Sequence, residues 1–100
     1  MKPRDQLARS LDSLRATLDG RADATAAQLR QQAEQQGMWL SADGRIGEAD
    51  LAKLIGISPG TLANKRREGT APDSFSLGGG RHKITYRLSD AARWLESHRR

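Results

Sequence analysis

The stretch that decides the fold is residues 47–69, which read GEADLAKLIGISPGTLANKRREG. Its first apolar residues recur at helical spacing and predict a short amphipathic helix over residues 48–55. Gly56-Ile57 then forms a tight turn. Ser58-Pro59 is a typical helix start, with serine as the cap and proline at the first helical position. The second helix is predicted over residues 59–68 and ends at the following glycine.

These two helices and their turn have the spacing of a helix-turn-helix. Ala52 is small where the helices approach closely, and Gly56 supplies the backbone angle that the turn needs. The predicted core of this unit is aliphatic and consists of Leu51, Ile55, Ile57 and Leu62. When two helices meet at a tight turn, the second helix is held rigidly against the first. A helix also has a diameter that fits the major groove of B-DNA.

Two alternating segments follow the helix pair, residues 74–77 and 83–88. Alternation of polar and apolar residues predicts β-strands. Gly78-Gly79-Gly80 lies between them. The pair is therefore predicted to form a β-hairpin with a flexible glycine tip.

A last helix is predicted to begin with a cap at Ser89 or Asp90 and to run through about His98. Its apolar residues, which are predicted to face inward, are Ala91, Trp94 and Leu95. Trp94 and Trp39 are both predicted core residues, because large aromatic side chains are mostly buried. Together these elements predict a mainly α-helical protein with a small β-hairpin wing, a winged helix-turn-helix preceded by one or two N-terminal helices.

The chain before this unit is predicted to be helical. Four leucines lie on one stripe of a helix that starts near Pro3, namely Leu7, Leu11, Leu14 and Leu18. Asp19-Gly20 offers a stop, and a second helical segment is predicted over residues 23–36 with a cap at Thr25. The sequence leaves open whether these segments are one helix or two.

A turn is predicted between the helical region and the helix-turn-helix, at Asp43-Gly44. The apolar residues 38–40 precede it and Arg45-Ile46 follows it, which predicts a small hairpin or extended arm. The composition also changes here. The chain is therefore predicted to divide into a helical segment with a short arm, residues 1–44, and a winged helix-turn-helix domain, residues 45–100.

The composition excludes several classes of function. The chain has 100 residues, no cysteine and two histidines, His82 and His98, which lie far from any carboxylate pair. Disulfide frameworks, thiolate chemistry and cysteine-based zinc sites are excluded, and the sequence has no nucleophile–base pair or cofactor motif. We predict no catalytic residue, no metal and no cofactor, and hence a protein that is not an enzyme.

The sequence also predicts a cytoplasmic protein without a membrane partner. None of its apolar stretches approaches the roughly 18 residues that cross a bilayer. Its first four residues lead into a polar helix rather than into a signal sequence.

The net charge of +5 lies in the second half of the chain. Residues 1–50 carry seven Lys and Arg against eight Asp and Glu, whereas residues 51–100 carry ten against four. A one-sided basic segment in a small protein indicates a polyanion partner, although a solvated face with a basic bias gives the same count.

Residues 47–97, about half of the chain, resemble the excisionase/AlpA-type branch of the MerR-like winged helix-turn-helix superfamily. The order of the predicted elements matches, and so do three sequence blocks in their order and spacing. These blocks are GEADLAKLIGIS, TL followed by REGTAP, and LGGGRHKITYRLSDAARWLES. The resemblance implies that the second helix enters the major groove and that the wing contacts the adjacent minor groove or phosphates. Lys65 stands where the family usually has a large apolar residue, so Phe75 or Tyr86 fills that space or the helix is rotated.

Side-chain chemistry assigns roles to the residues of this resemblance. The residues near the start of the second helix, which are predicted to reach base edges, are Gly60, Thr61, Asn64 and Lys65. Asparagine pairs with adenine, and lysine or arginine pairs with guanine. The residues predicted to bind phosphates are Arg66 and Arg67 in the helix and Arg81 and Lys83 in the wing. Backbone amides near Ser58 are a further predicted phosphate site. Arg87 is either another phosphate contact or a structural strand residue.

The predicted function is sequence-specific binding of double-stranded DNA by a protein of bacterial, phage or mobile-element origin. It would regulate transcription, or bend DNA beside an integrase as an excisionase-like factor, in association with the nucleoid. Two alternatives stay open: a subunit like the small terminases that mark phage DNA for packaging, and a protein-interaction module with an incidental basic face. The N-terminal helices are predicted to bind a second copy of the chain, a recombinase or a polymerase.

Overall fold

Four helices and three short strands make up the described part of the chain. A computed structural model describes residues 3–77 and 83–100, with side chains described from residue 15 onward within these ranges. The elements in chain order are α1 Pro3–Gln35, β1 Arg45–Gly47, α2 Glu48–Ile55, α3 Pro59–Glu68, β2 Ser74–Ser76, β3 Ile84–Arg87 and α4 Leu88–Ser97. The protein is therefore mainly helical with a small antiparallel sheet, and both α2 and α3 have their predicted bounds.

The three strands form one sheet in the order β1-β3-β2. β2 and β3 pair as the predicted antiparallel hairpin, with Phe75 opposite Thr85, and both strands are shorter than predicted. β1 adds a third strand on the other side of β3, with Ile46 opposite Tyr86. The predicted glycine tip, Gly78-Gly79-Gly80, lies outside the described residues.

The segment between α1 and β1 turns as predicted but pairs differently. Gly44 adopts a φ of 77°, and its N–H donates to the carbonyl of Ser41 at 3.1 Å. The predicted small hairpin is reduced to one bridge between Leu40 and Ile46. Ile46 is fully buried in the core, and this burial favours the pairing of its strand with β3.

α1 is one helix of 33 residues, so of the two arrangements that the sequence left open it is the single helix, which continues through the possible stop at Asp19-Gly20. Gly20 does not have the positive φ of a glycine that ends a helix. An interior glycine costs about 1 kcal/mol, and the burial of the following turns at Ala22, Leu29 and Ala33 offsets this cost. Neither α1 nor any other helix of the described ranges is both long enough and apolar enough to cross a membrane.

α1 packs against α4 through polar as well as apolar contacts. Thr25, predicted as a helix cap, instead donates from Oγ1 to Glu96 Oε1 in α4 at 2.8 Å. Arg93 in α4 pairs with Asp19 at 2.9 Å. Within the predicted leucine stripe, Leu18 is 40% exposed. The other side chains of the stripe, Leu7, Leu11 and Leu14, lie outside the described side chains.

One hydrophobic core includes residues of all four helices and the sheet. Its largest fully buried side chains are Ile46, Leu51, Leu62 and Tyr86. Small residues of α1, α2 and α4 complete it and let the helices approach closely, namely Ala22, Ala33, Ala52, Ala91 and Ala92. The second half of α1 therefore shares its core with α2, α3, α4 and the sheet.

The two tryptophans lie at the edge of this core rather than inside it. Trp94 is half-buried, whereas Trp39 is 47% exposed, so the prediction that Trp39 is a core residue is wrong. Leu40 packs against the core through its bridge to Ile46. Because successive side chains of an extended segment point to opposite sides, Trp39 points away from the core.

α4 begins at Leu88, so the predicted cap at Ser89 or Asp90 is wrong. β3 runs directly into α4, and Arg87 at the cap position forms no side-chain cap. The N–H of Leu88 donates to the carbonyl of Gly44 at 2.9 Å. A backbone carbonyl from the turn before β1 thus accepts a hydrogen bond from the first residue of α4.

Candidate nucleic-acid interface

α3 begins with the predicted serine cap. The Thr61 N–H donates to Ser58 Oγ at 3.0 Å, and the two hydroxyl oxygens of these residues are 2.7 Å apart. Gly56, in the left-handed conformation with a φ of 83°, donates its N–H to the carbonyl of Ala52. These contacts fix the direction in which α3 leaves the turn. They also satisfy the amide of Thr61 within the protein, which removes one donor from the predicted phosphate site near Ser58.

α3 has one face toward the core and one toward solvent. Leu62 is fully buried, and Arg66, one helical turn later, is half-buried on the same side. Lys65 is half-buried at the edge of the solvent side, and the exposed residues of α3 are Pro59, Gly60, Thr61, Asn64, Arg67 and Glu68. The residues predicted to read bases therefore lie together on or beside the solvent side of α3.

Arg66 points inward because it has a partner in α2. Its Nε donates to Glu48 Oε2 at 2.8 Å, and its Nη2 donates to Glu48 Oε1 at 3.3 Å. The hydroxyl of Tyr86 in β3 donates to the same Glu48 Oε2 at 2.5 Å. One carboxylate thus joins α2, α3 and β3, and the predicted phosphate contact of Arg66 competes with this ion pair.

The ionisation of this cluster is set by burial and by its hydrogen bonds. Burial by itself would raise the pKa of Glu48, but hydrogen bonds from Arg66 and Tyr86 outweigh burial and leave the pKa below its ordinary value. Burial, followed by the bond to Glu48, raises the pKa of Tyr86. Glu48 is therefore a carboxylate and Tyr86 a neutral donor at neutral pH.

The far end of α3 is held by α4. The indole N–H of Trp94 donates to the carbonyl of Thr70 at 2.7 Å, just after α3 ends. Gly69, with a φ of 77°, donates its N–H to the carbonyls of Lys65 and Arg66. α3 is thus anchored at its start by Ser58, along its inner face by Leu62 and Arg66, and at its end by Trp94. Sequence reasoning missed the contacts with Glu48 and Trp94.

Asn64 and Arg67 interact on the solvent side of α3. Arg67 Nη1 donates to Asn64 Oδ1 at 3.1 Å. Bidentate pairing with adenine uses both polar groups of an asparagine amide. Arg67 must therefore release Asn64 before this asparagine reads an adenine, and the released guanidinium is then free for a phosphate.

The two aromatic candidates for the space beside Lys65 have different surroundings. Tyr86 is fully buried in the core that also contains Leu62. Phe75 is half-buried on the sheet, where the guanidinium carbons of Arg45 and Arg87 lie 5.6 and 5.2 Å from its ring centroid. Tyr86 is thus the aromatic residue that packs beneath the helix pair.

The segment that leads into β3 contributes one described cation near α3. Lys83 is exposed, and it lines a cleft of about 470 Å³ together with Pro59 at the start of α3 and Arg66. Glu48 and Asp50 of α2 also line this cleft. Arg81, the other predicted phosphate contact in the wing, lies outside the described residues.

Arg87 lies on the other side of the sheet from the core. Its Nη2 is 3.8 Å from Asp43 Oδ2, and the single Nε–H of Arg45 is shared between both carboxylate oxygens of Asp43. Arg87 is thus held beside Phe75 and Asp43. Among the described side chains, no group of three or more acidic residues and histidines could hold a metal ion.

Comparison with protein-family models, with curated proteins and with solved structures finds no match for this chain. The similarity of residues 47–97 to winged helix-turn-helix proteins therefore depends on the sequence blocks themselves. The functional proposal depends in turn on the exposure, anchoring and charge of α3 and its neighbours.

Proposed function

We propose that the protein binds double-stranded DNA as a winged helix-turn-helix, with α3 in the major groove. It acts without catalysis, as a transcriptional regulator or an excisionase-like factor in a bacterium, phage or mobile element. The observation that carries this proposal is the division of α3 into two sides. Leu62 and Arg66 hold its inner side, while its outer side presents Thr61, Asn64 and Arg67 to solvent.

The dimensions of α3 suit this role. A helix of 10 residues is about 15 Å long and, with its side chains, 10–12 Å wide, which fits the roughly 12 Å width of the major groove. Helices of this kind direct the side chains of their first turns to base edges. Anchoring at both ends lowers the entropy that α3 loses when it is held in the groove.

The exposed side chains divide by chemistry into two groups. Thr61, Asn64 and Lys65 are proposed to contact base edges, because they lie in the first two turns of α3. Arg67 and Lys83 are proposed to contact phosphates. Arg66 is proposed to position α3, since its guanidinium is already bound to Glu48.

Salt-dependent DNA binding tests this proposal. The affinity for a fluorescein-labelled duplex of random sequence is measured by fluorescence anisotropy at several salt concentrations. If about five phosphates are neutralised, affinity falls about 10²–10³-fold between 50 and 200 mM salt. Absence of binding at low salt would exclude the DNA role and favour a protein-interaction module.

A triple variant links the binding to α3. Asn64→Ala, Lys65→Ala and Arg67→Ala together are expected to abolish binding at 100 mM salt without unfolding the protein, because the changes lie outside the fully buried core. Arg21→Ala on α1 is the control, since Arg21 is exposed and far from α3 in sequence. Equal affinities for the triple variant and the control would show that α3 is not the DNA-binding element.

A further inference from the structure

An exposed tryptophan lies beside the basic wing. Trp39 is 47% exposed, in the segment between α1 and β1. The ammonium nitrogen of Lys83 lies 4.4 Å from the centroid of its ring. This is the geometry of a cation–π contact, in which the negative face of the ring attracts the ammonium group.

The backbone brings these two residues together from distant parts of the chain. Leu40 bridges to Ile46, so residue 39 lies next to the edge of the sheet at Gly47. Gly47 is opposite Thr85 in β3, and Lys83 immediately precedes β3. The contact therefore depends on the three-stranded arrangement and joins the segment after α1 to the wing.

The charge of Lys83 is not neutralised by a carboxylate within the described residues. The ion pairs of these residues involve six arginines and do not include Lys83. Of the two carboxylates in the adjoining cleft, Glu48 is bound to Arg66. The aromatic contact thus fixes the ammonium group and leaves its charge available to an anion.

The position of this ammonium group relates it to α3. Lys83 lies on the same cleft as Pro59, the first residue of α3. A DNA strand that passes the start of α3 therefore passes Lys83 as well. A lysine that is already held at this place loses less side-chain freedom on binding than a free one.

We infer that Trp39 is a positioning residue for DNA binding, which holds the Lys83 ammonium group beside α3 for a phosphate of the bound duplex. This inference rests on the proposed DNA-binding function. It extends the DNA-contacting unit to residue 39, before the predicted domain boundary at residue 45.

A double-mutant cycle on the full chain tests the inference. Trp39→Ala, Lys83→Ala and the double variant are compared by anisotropy on the same duplex and over the same range of salt. Lys83→Ala is expected to lower affinity and to reduce the slope of log affinity against log salt by about 0.9. Trp39→Ala is expected to lower affinity about two- to fivefold in the wild-type background and to have no effect when Lys83 is already alanine.

Two further variants separate positioning from a general effect on folding. Trp39→Phe keeps a ring and is expected to restore most of the affinity that Trp39→Ala loses. Leu77→Ala removes another exposed apolar side chain next to the wing, 72% exposed, and is expected to bind as the wild type does. The contact itself is monitored without DNA in a Trp94→Phe background, where Lys83→Ala is expected to change the fluorescence of the remaining Trp39.

The outcomes distinguish the inference from the proposal on which it rests. Wild-type protein that does not bind DNA at low salt overturns both. The inference alone is overturned if the wild type binds DNA and Trp39→Ala binds it with the same affinity. It is also overturned if Trp39→Ala lowers the affinity by the same factor in the wild-type and Lys83→Ala backgrounds.

Discussion

Lys65 and Arg67 are two positions apart on α3 but have different surroundings, since Lys65 is half-buried and Arg67 is exposed. Lys65→Ala is expected to change sequence preference, with about 1–3 kcal/mol less discrimination at one base pair. Arg67→Ala is expected to weaken binding to every sequence and to reduce the salt slope by about 0.9. Anisotropy on a selected duplex and on a scrambled one measures both effects.

Arg21→Ala serves as the control for the loss of one positive charge, because Arg21 lies on α1. If Lys65→Ala and Arg67→Ala change the two affinities by the same factor, the assignment of one residue to bases and the other to phosphates is wrong.

The sequence predicts the exposure of single residues well where the helical period decides it. Thr61 and Asn64 are exposed as predicted because the helical period places them off the side of α3 on which Leu62 is buried. The ion pair that holds Arg66 against α2 could not be predicted, since its partner Glu48 is 18 positions away and belongs to another helix. Trp39 could not be placed either, because its exposure depends on the pairing of neighbouring Leu40.

At the scale of elements, Glu48 holds α3 against α2 and β3. Glu48→Gln keeps the shape of the side chain but leaves the Arg66 guanidinium without its anion. The substitution is expected to lower the free energy of unfolding by about 1.5–3 kcal/mol. Urea unfolding monitored by circular dichroism measures this change as a lower midpoint at an unchanged slope.

Glu34→Gln is the matched control for that substitution. Glu34 forms an exposed ion pair with Arg30, with N and O 4.0 Å apart. Exposed ion pairs contribute little to stability, so the unfolding midpoint of Glu34→Gln is expected to stay close to that of the wild type. An equally small effect of Glu48→Gln would contradict the anchoring role of the cluster.

The same cluster makes stability depend on acid. The pKa of Glu48 in the folded protein lies below its ordinary value of 4.5. The stabilisation that ionised Glu48 gives to the folded state is therefore fully present above that ordinary pKa, and it is lost as the pH falls through the folded-state pKa. The urea midpoint is therefore expected to fall below about pH 4.5, and to fall less steeply in Glu48→Gln. The pKa of Asp43 is also lowered, by hydrogen bonds from Ser41 and Arg45. Asp43 therefore adds to the loss of stability in acid, and it does so equally in the wild type and in Glu48→Gln. Identical pH profiles would exclude Glu48 as a source of the dependence.

Elements whose ends are set locally were the predictable ones. α2 and α3 have their predicted bounds because Gly56, Ser58 and Gly69 define their ends from within the segment. The continuity of α1 through Gly20 and the start of α4 at Leu88 depend on distant contacts. The first follows from packing against α4 and the second from a bond to Gly44, neither of which a local pattern contains.

At the scale of the molecule, the second half of α1 completes the core. Leu29→Ala removes a side chain that is 8% exposed and is expected to destabilise the protein by about 2–5 kcal/mol. Leu18→Ala removes the same atoms from a side chain that is 40% exposed and is expected to cost less than about 1 kcal/mol. Thermal unfolding of the two variants measures the difference, and equal losses would contradict the packing of α1 described above.

The hydrogen bond between Thr25 and Glu96 joins residues 71 positions apart and has a consequence for the nascent chain. The ribosome delivers α1 first, but the helix against which it packs emerges only after the sheet has been synthesised. Contacts between distant parts of a chain close slowly, because the loop between them must be ordered first. Folding is therefore expected to finish in one late step after α4 emerges. The surface that we propose for DNA binding is then expected to be fixed only at this step, because Trp94 of α4 holds the end of α3.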